Sequence, residues 1–168
     1  MAHLSTTNTI QQLFPYLIVR NAAAAIEFYK RVFGAEEMMR LCEPSGRIGH
    51  AQIKMGVAVI KLADEHPEHG MLSPLASGGT GSFLHLHVVN VDKMTKLAAD
   101  AGAKILAEPK TQFYGERSAK FQDPFGHIWM LGQHIEDVSP DEMQRRYTKM
   151  LSRCGWKHSG VGRLVLQR

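Results

Sequence analysis

One order of segments occurs twice in this chain, about seventy residues apart, and it leaves few folds open. In the first copy FPYLIVR, apolar and rich in aromatic and branched residues, reads as a strand. Asn21 follows as an N-cap candidate, because its side-chain oxygen can accept from an orphan backbone N–H. AAAAIEFYKRVF holds strong helix formers, with Ala22, Ile26, Tyr29 and Phe33 on one face, and Gly34 supplies the left-handed position that ends a helix. EEMMRLCE is a second strand closed by PSG, and GHAQIKM and VAVIKLA form a hairpin through Gly56. The second copy repeats the order. FLHLHVVNV is a strand, Asp92 is its cap, and KMTKLAADA is a helix with Met94, Leu97, Ala98 and Ala101 on one face. Gly102 ends that helix, KILAEP is the next strand, and RSAKFQ and HIWML form a hairpin around the turn sequence DPFG. Each copy alone leaves an apolar sheet face uncovered, so the duplication predicts an α+β fold of two packed βαβββ modules.

The copies set the organisation. Residues 1–12 read as a mobile N-terminal arm and 13–137 as the domain, with modules 13–66 and 82–137 joined by a Gly-, Pro- and Ser-rich linker. Residues 138–168 are a C-terminal helix and tail. Ser139, Pro140 and Glu142 occupy the N-cap, first-turn and capping-box positions of that helix. Met143, Tyr147, Met150, Leu151 and Cys154 form its apolar stripe, which predicts packing on the domain or on a partner subunit.

Composition narrows the setting. The chain has 168 residues, 44% of them hydrophobic and 21% charged, which suits one globular domain. No apolar run reaches the ~20 residues of a membrane helix, and the first residues carry no secretory pattern. Cys42 and Cys154 are isolated, in no metal or redox spacing, and are expected to be small packing residues. A cytoplasmic protein without a membrane partner is the expectation. The net charge of +4 is concentrated after Pro140, where seven Lys and Arg face Asp141 and Glu142. No aromatic-interleaved basic stripe accompanies them, so a solvated helix face is expected rather than a nucleic-acid partner.

PYLIVRNAAAAIEFYKRVFGAEE, GHAQIKMGVAVIKLADE and DPFGHIWML together resemble the glyoxalase/bleomycin-resistance/dioxygenase (vicinal oxygen chelate) superfamily, and above all its PhnB-like branch. The resemblance covers residues 13 to 137. It implies paired modules that form a cupped mixed sheet around a cleft, a homodimer, and a small-molecule site inside the cleft. Superfamily enzymes commonly hold a divalent metal with His, Gln or Glu from both modules. Aligned through IEFY and DPFG, those positions fall near Phe14, Lys61, Phe83 and Met130, none of which is a metal ligand. Shifting each strand by two residues assembles no full set. The expectation is a site with no metal and no cofactor.

His85 and His87 alternate with Leu84 and Leu86, so both imidazoles share one strand face, with Phe83, and the leucines face the helices. His85 is a candidate general base because its unperturbed pKa lies near neutrality. His50, in GHAQ, matches a histidine of PhnB-like sequences, shares a polar face with Gln52 and Lys54, and is the second catalytic candidate. Tyr16 and Trp129 are candidate aromatic walls, and Lys61 a fixed cation. Tyr114 and Arg117, in a loop that also holds Glu116, are candidate ligand contacts, with Arg117 suited to a carboxylate or phosphate. The alternative for that loop is an internal Glu116–Arg117 pair. His66, Glu68 and His69 lie in the linker and are poorly preorganised for coordination. Lys61 and Arg117 favour a neutral or anionic ligand. Three functions fit: a small-molecule-site protein of unassigned reaction, a non-catalytic sequestering resistance protein, or a metal-dependent lyase or dioxygenase with a non-standard set such as His50 with His85.

Overall fold

A computed structural model describes residues 11–153. Most of the expected arm, and Cys154 with the basic residues after it, lie outside the described residues. The first module runs β1 (Tyr16–Val19), α1 (Ala22–Phe33), β2 (Glu36–Cys42), β3 (Ile48–Met55) and β4 (Ala58–Asp64). Its four strands order as β1-β4-β3-β2, with β1 parallel to β4 and the other pairs antiparallel. Asn21 caps α1 from a left-handed backbone (φ 63), accepting from Ala24 N at 3.0 Å. Asparagine tolerates that conformation better than most residues. Gly34 (φ 67) closes the helix with a bond to the Lys30 carbonyl. The Asp64 carboxylate then ties helix to sheet, accepting from Ala22 N and Ile48 N, both at 2.7 Å.

The second module repeats the plan as β5 (Phe83–His87), α3 (Val91–Asp100), β6 (Lys104–Thr111), β7 (Glu116–Gln122) and β8 (Ile128–His134), ordered β5-β8-β7-β6. Here Gln133 takes the part of Asp64, accepting from Val91 N at 3.0 Å. The expected cap is corrected: Asn90, not Asp92, caps α3, accepting from Lys93 N at 2.8 Å. The helix starts two residues earlier than its charge pattern suggests, which leaves Asp92 in the first turn. Between the modules, a short 3-10 turn (Pro67–His69) and α2 (Pro74–Ser77) occupy the linker.

The modules join through their helix-covered sheet faces, which share one core. Side chains of α1 cross to the second sheet: the Phe33 ring lies 4.6 Å from Trp129, and Tyr29 5.5 Å from it. At the centre is Asp123 of the DPFG turn, itself buried. Its Oδ2 accepts from Tyr29 Oη at 2.8 Å and Trp129 Nε1 at 2.9 Å. Its Oδ1 accepts from the backbone N–H of Phe125 at 3.0 Å and His127 at 2.9 Å. Among the described residues no cation pairs with this carboxylate, and its burial is tolerable because four donors replace its water. A second bridge runs from His127 Nε2 to the Ile18 carbonyl of β1, at 3.1 Å.

This arrangement decides where the open faces go. Both sheets spend their apolar side on the shared helical layer, so period-two alternation turns the other side of each outward. The expected hollow is therefore present as two separate open faces, one per module, rather than as a cleft enclosed by one chain. α4 (Pro140–Arg153) packs on its own chain at the β6–β7 loop, where Tyr147 stacks on Phe113 at 5.4 Å. Arg146 anchors it, donating to the Phe113 carbonyl at 3.2 Å and to Glu136 and Glu142. Ser139 Oγ accepts from Glu142 N at 3.3 Å, as the N-cap reading requires. Cys42, expected as a packing residue, is exposed at the end of β2.

Candidate functional site

The open face of the first sheet is set by register. Tyr16 on β1 and Gln52 on β3 both pair with Lys61 on β4, so the three side chains share a row. His50 stands two residues before Gln52, on the same face, opposite Leu41 of β2. Tyr16 Oη lies 2.9 Å from His50 Nδ1, and Gln52 Nε2 lies 3.2 Å from His50 Nε2. With the amide donating to Nε2, the imidazole proton sits on Nδ1 and is donated to the Tyr16 oxygen, which frees the phenol O–H for a ligand. Reversing the amide reverses every bond along the row. Tyr16–His50–Gln52 is thus a hydrogen-bonded relay that can donate or accept one hydrogen bond at the phenol. Burial pushes the Tyr16 phenol pKa up, so the phenol keeps its proton and can act as a hydrogen-bond donor.

Lys61 lies beside this relay, with its ammonium 4.4 Å from the centre of the Phe14 ring. A cavity of about 450 Å³ flanks the row, lined in part by Phe14, Met38, Gln52 and Val59. That volume is in the range of small-molecule sites.

The open face of the second sheet carries Phe83, His85 and His87, while Leu84 and Leu86 pack towards the helices, as the alternation predicts. Register across β8 and β7 places Met130 and Lys120 beside His85, and Gly132 and Ser118 beside His87. Lys120 covers the Phe83 ring at 4.8 Å, repeating the Lys61–Phe14 contact of the first module. The imidazoles of His85 and His87 lie 4.9 Å apart, and His87 Nε2 is 3.6 Å from Glu116 Oε1.

The structure brings Tyr16, His50 and Lys61 together but places His85 on the other sheet, so the two catalytic candidates do not meet within one chain. Arg117 faces the helices: it makes a bidentate pair with Asp92 at 2.7 and 2.6 Å, which fixes the first turn of α3. The expected Glu116–Arg117 pair is not formed, since neighbours on a strand point to opposite faces. Trp129 is fully buried against Asp123 and lines neither open face. Tyr114 reaches the second open face, with Oη 3.5 Å from Ser118 Oγ. Glu116, read from the sequence only as a loop neighbour and pairing partner of Arg117, stands instead beside His87. Its alternation with Ser118, Lys120 and Gln122 was legible, but its neighbours depended on a non-local register. In the linker, His66 is buried between Glu43 and Glu68, each 3.4 Å away.

A sequence profile of the Glyoxalase/Bleomycin resistance protein/Dioxygenase superfamily matches residues 5–131. The chain belongs to this superfamily. An uncharacterised protein of Mycobacterium tuberculosis is 36% identical over 140 residues, covering 82% of this chain and 82% of the relative. Among solved structures, FosX, the genomically encoded fosfomycin resistance protein of Listeria monocytogenes, aligns at 18% identity with a TM-score of 0.58, covering 80% of this chain and 98% of FosX. TioX from Micromonospora sp. ML1 aligns at 22% identity and a TM-score of 0.56, covering 77% of this chain and all (100%) of TioX. These likenesses establish the fold of the superfamily member, not its reaction.

Superfamily metal chemistry needs donors at the aligned positions, and the residues present do not fit it. Phe14 and Phe83 are aromatic, Met130 offers a thioether, and Lys61 holds a cation where the ion's charge would sit.

Proposed function

We propose that this superfamily member, PhnB-like in sequence, is a cytoplasmic small-molecule-site protein whose first open face takes a small neutral or anionic polar ligand. The observation that carries this reading is the Tyr16–His50–Gln52 relay beside Lys61, at the edge of a cavity of about 450 Å³. Lys61 attracts a carboxylate, phosphonate or phosphate oxygen and opposes a cation. The relay donates to or accepts from the polar group next to it. His50 and Lys61 are the residues that hold the ligand, and Tyr16 is the aromatic wall that carries the exchangeable proton.

The site is completed by a second copy. Each open face keeps large apolar side chains in solvent, with Tyr16 45%, Leu41 59% and Phe83 49% exposed. Pairing the first face of one chain with the second face of another covers both and closes two clefts per homodimer. Such exposed apolar surface on a rigid sheet is the mark of an interaction face.

The test is a thermal-shift panel of small phosphonates and carboxylates, their uncharged amides, and cationic amines. Stabilisation by acids or amides is expected, with the acid hits lost in Lys61→Glu and weakened in His50→Ala. Stabilisation by amines alone, or acid hits indifferent to both substitutions, refutes the reading. Sedimentation at micromolar concentration should show a dimer, and a monomer would remove the composite cleft.

A further inference from the structure

We propose that His85, His87 and Glu116 bind a divalent transition-metal ion on the second open face, over Gly132. This site lies on a different sheet from the ligand face described above and does not rest on that reading.

The donor atoms of the three side chains all lie within 4.8 Å of one another, the one such convergence of three His, Cys, Asp or Glu groups among the described residues. The backbone builds it from two strands. His85 and His87 project from β5 at period two, and Glu116 enters from the start of β7 on the far side of β8. Between them, β8 carries Gly132, paired with His87 on one side and Ser118 on the other.

Gly132 supplies the second argument. It is not among the glycines with positive φ, so its backbone conformation does not demand glycine. What it provides is space. A Cβ at this position would lie 2.9 Å from Glu116 Oε2, 2.9 Å from His85 Nε2 and 3.5 Å from His87 Cε1. Glycine in a strand interior often marks a place where another group approaches closely. Here the approaching groups are three metal-ligating side chains.

Two imidazoles and one carboxylate suit zinc, iron(II), cobalt or nickel, and leave coordination positions open to water or a further ligand. Metal–ligand bonds of about 2.0–2.2 Å put neighbouring donors roughly 3–3.5 Å apart, so side-chain rotation alone must draw in the wider pair. The exposure of both histidines permits that rotation. The surroundings are ordered: Ser118 Oγ accepts from Gln112 Nε2 at 2.9 Å and from Tyr114 Oη at 3.5 Å, which fixes the loop that leads into Glu116. His134, across from Glu116 in register, is engaged by Asp137 at 3.2 Å and stands outside the set.

The experiment uses the whole 168-residue chain, tag-free, stripped with chelator and dialysed, then titrated with Zn²⁺ by calorimetry and with Co²⁺ by visible absorption. One equivalent is expected, with a Co²⁺ spectrum that Zn²⁺ bleaches. His87→Ala, Glu116→Gln and Gly132→Ala should each weaken Zn²⁺ binding at least about tenfold. His134→Ala and His66→Ala should leave it unchanged. Gly132→Ala keeps all three donors and crowds only the space between them, so its loss separates a built site from loose surface histidines. Absence of stoichiometric binding, or binding that survives both His87→Ala and Glu116→Gln, overturns the proposal.

Discussion

Replacing Asp123 by asparagine keeps size and shape and changes only what the two side-chain positions can accept. Each carboxylate oxygen now takes two donors, Tyr29 and Trp129 on one, the Phe125 and His127 N–H groups on the other. An amide turns one of those oxygens into an N–H₂. Whichever way it is oriented, two donors then face a donor. Leaving a buried polar group unsatisfied costs about 1–3 kcal/mol, so Asp123→Asn should destabilise by about 2–6 kcal/mol. Tyr29→Phe removes one donor and leaves the other three bonds, a loss of about 1.5–3 kcal/mol for a bond to a charged group. The double variant should cost less than the sum, because in Tyr29→Phe the amide has only Trp129 to offend on that side. Urea unfolding followed by far-UV circular dichroism reads all three. Against a typical total of 5–15 kcal/mol, the asparagine variant should lose a large share of its stability. If Asp123→Asn lies within about 1 kcal/mol of the parent, the four-donor account is wrong.

Two further outcomes follow from the charge pairs. Arg40 and then Lys30 hold the Glu37 carboxyl down, from 4.5 to about 2. A depressed folded pKa adds stability above the unfolded value, and that stability is lost as pH falls from about 4.5 towards 2. Glu37→Gln should flatten this part of the acid-unfolding profile, and an unchanged profile would remove the pair from the account. Arg146→Ala should raise amide exchange across residues 140–153 while moving the global unfolding midpoint little, because Arg146 ties α4 to Phe113 and Glu136 outside the core. A large shift in the midpoint would mean that α4 belongs to the main cooperative unit.

The module plan was readable because each of its signals is local. Asn21, Gly34 and the DPFG turn act within a few residues of themselves, and strand alternation placed His85 and Leu84 on opposite faces without knowledge of any partner. What was not readable depended on pairing across the chain. Arg117 has an accessible-looking loop position, yet parity with Ala119 and Phe121 sends it to the helix side, where Asp92 waits. Trp129 offered the same choice between wall and core, and Tyr29, a hundred residues earlier in sequence order, decided it. Glu116 could be placed near His87 only by knowing that β8 runs between β5 and β7. Gly132 carried a faint signal, since glycine inside a strand invites a reason, but the reason belonged to residues on two other strands.

The shared helical interior has a consequence for how this chain can change. Tyr16 and His85 stand on the open faces of different sheets, each turned away from the common core. In the dimer proposed above, the two positions would meet between molecules, where one chain's first sheet faces another's second. Heredity links the two surfaces in one gene, and the proposed assembly would make them neighbours.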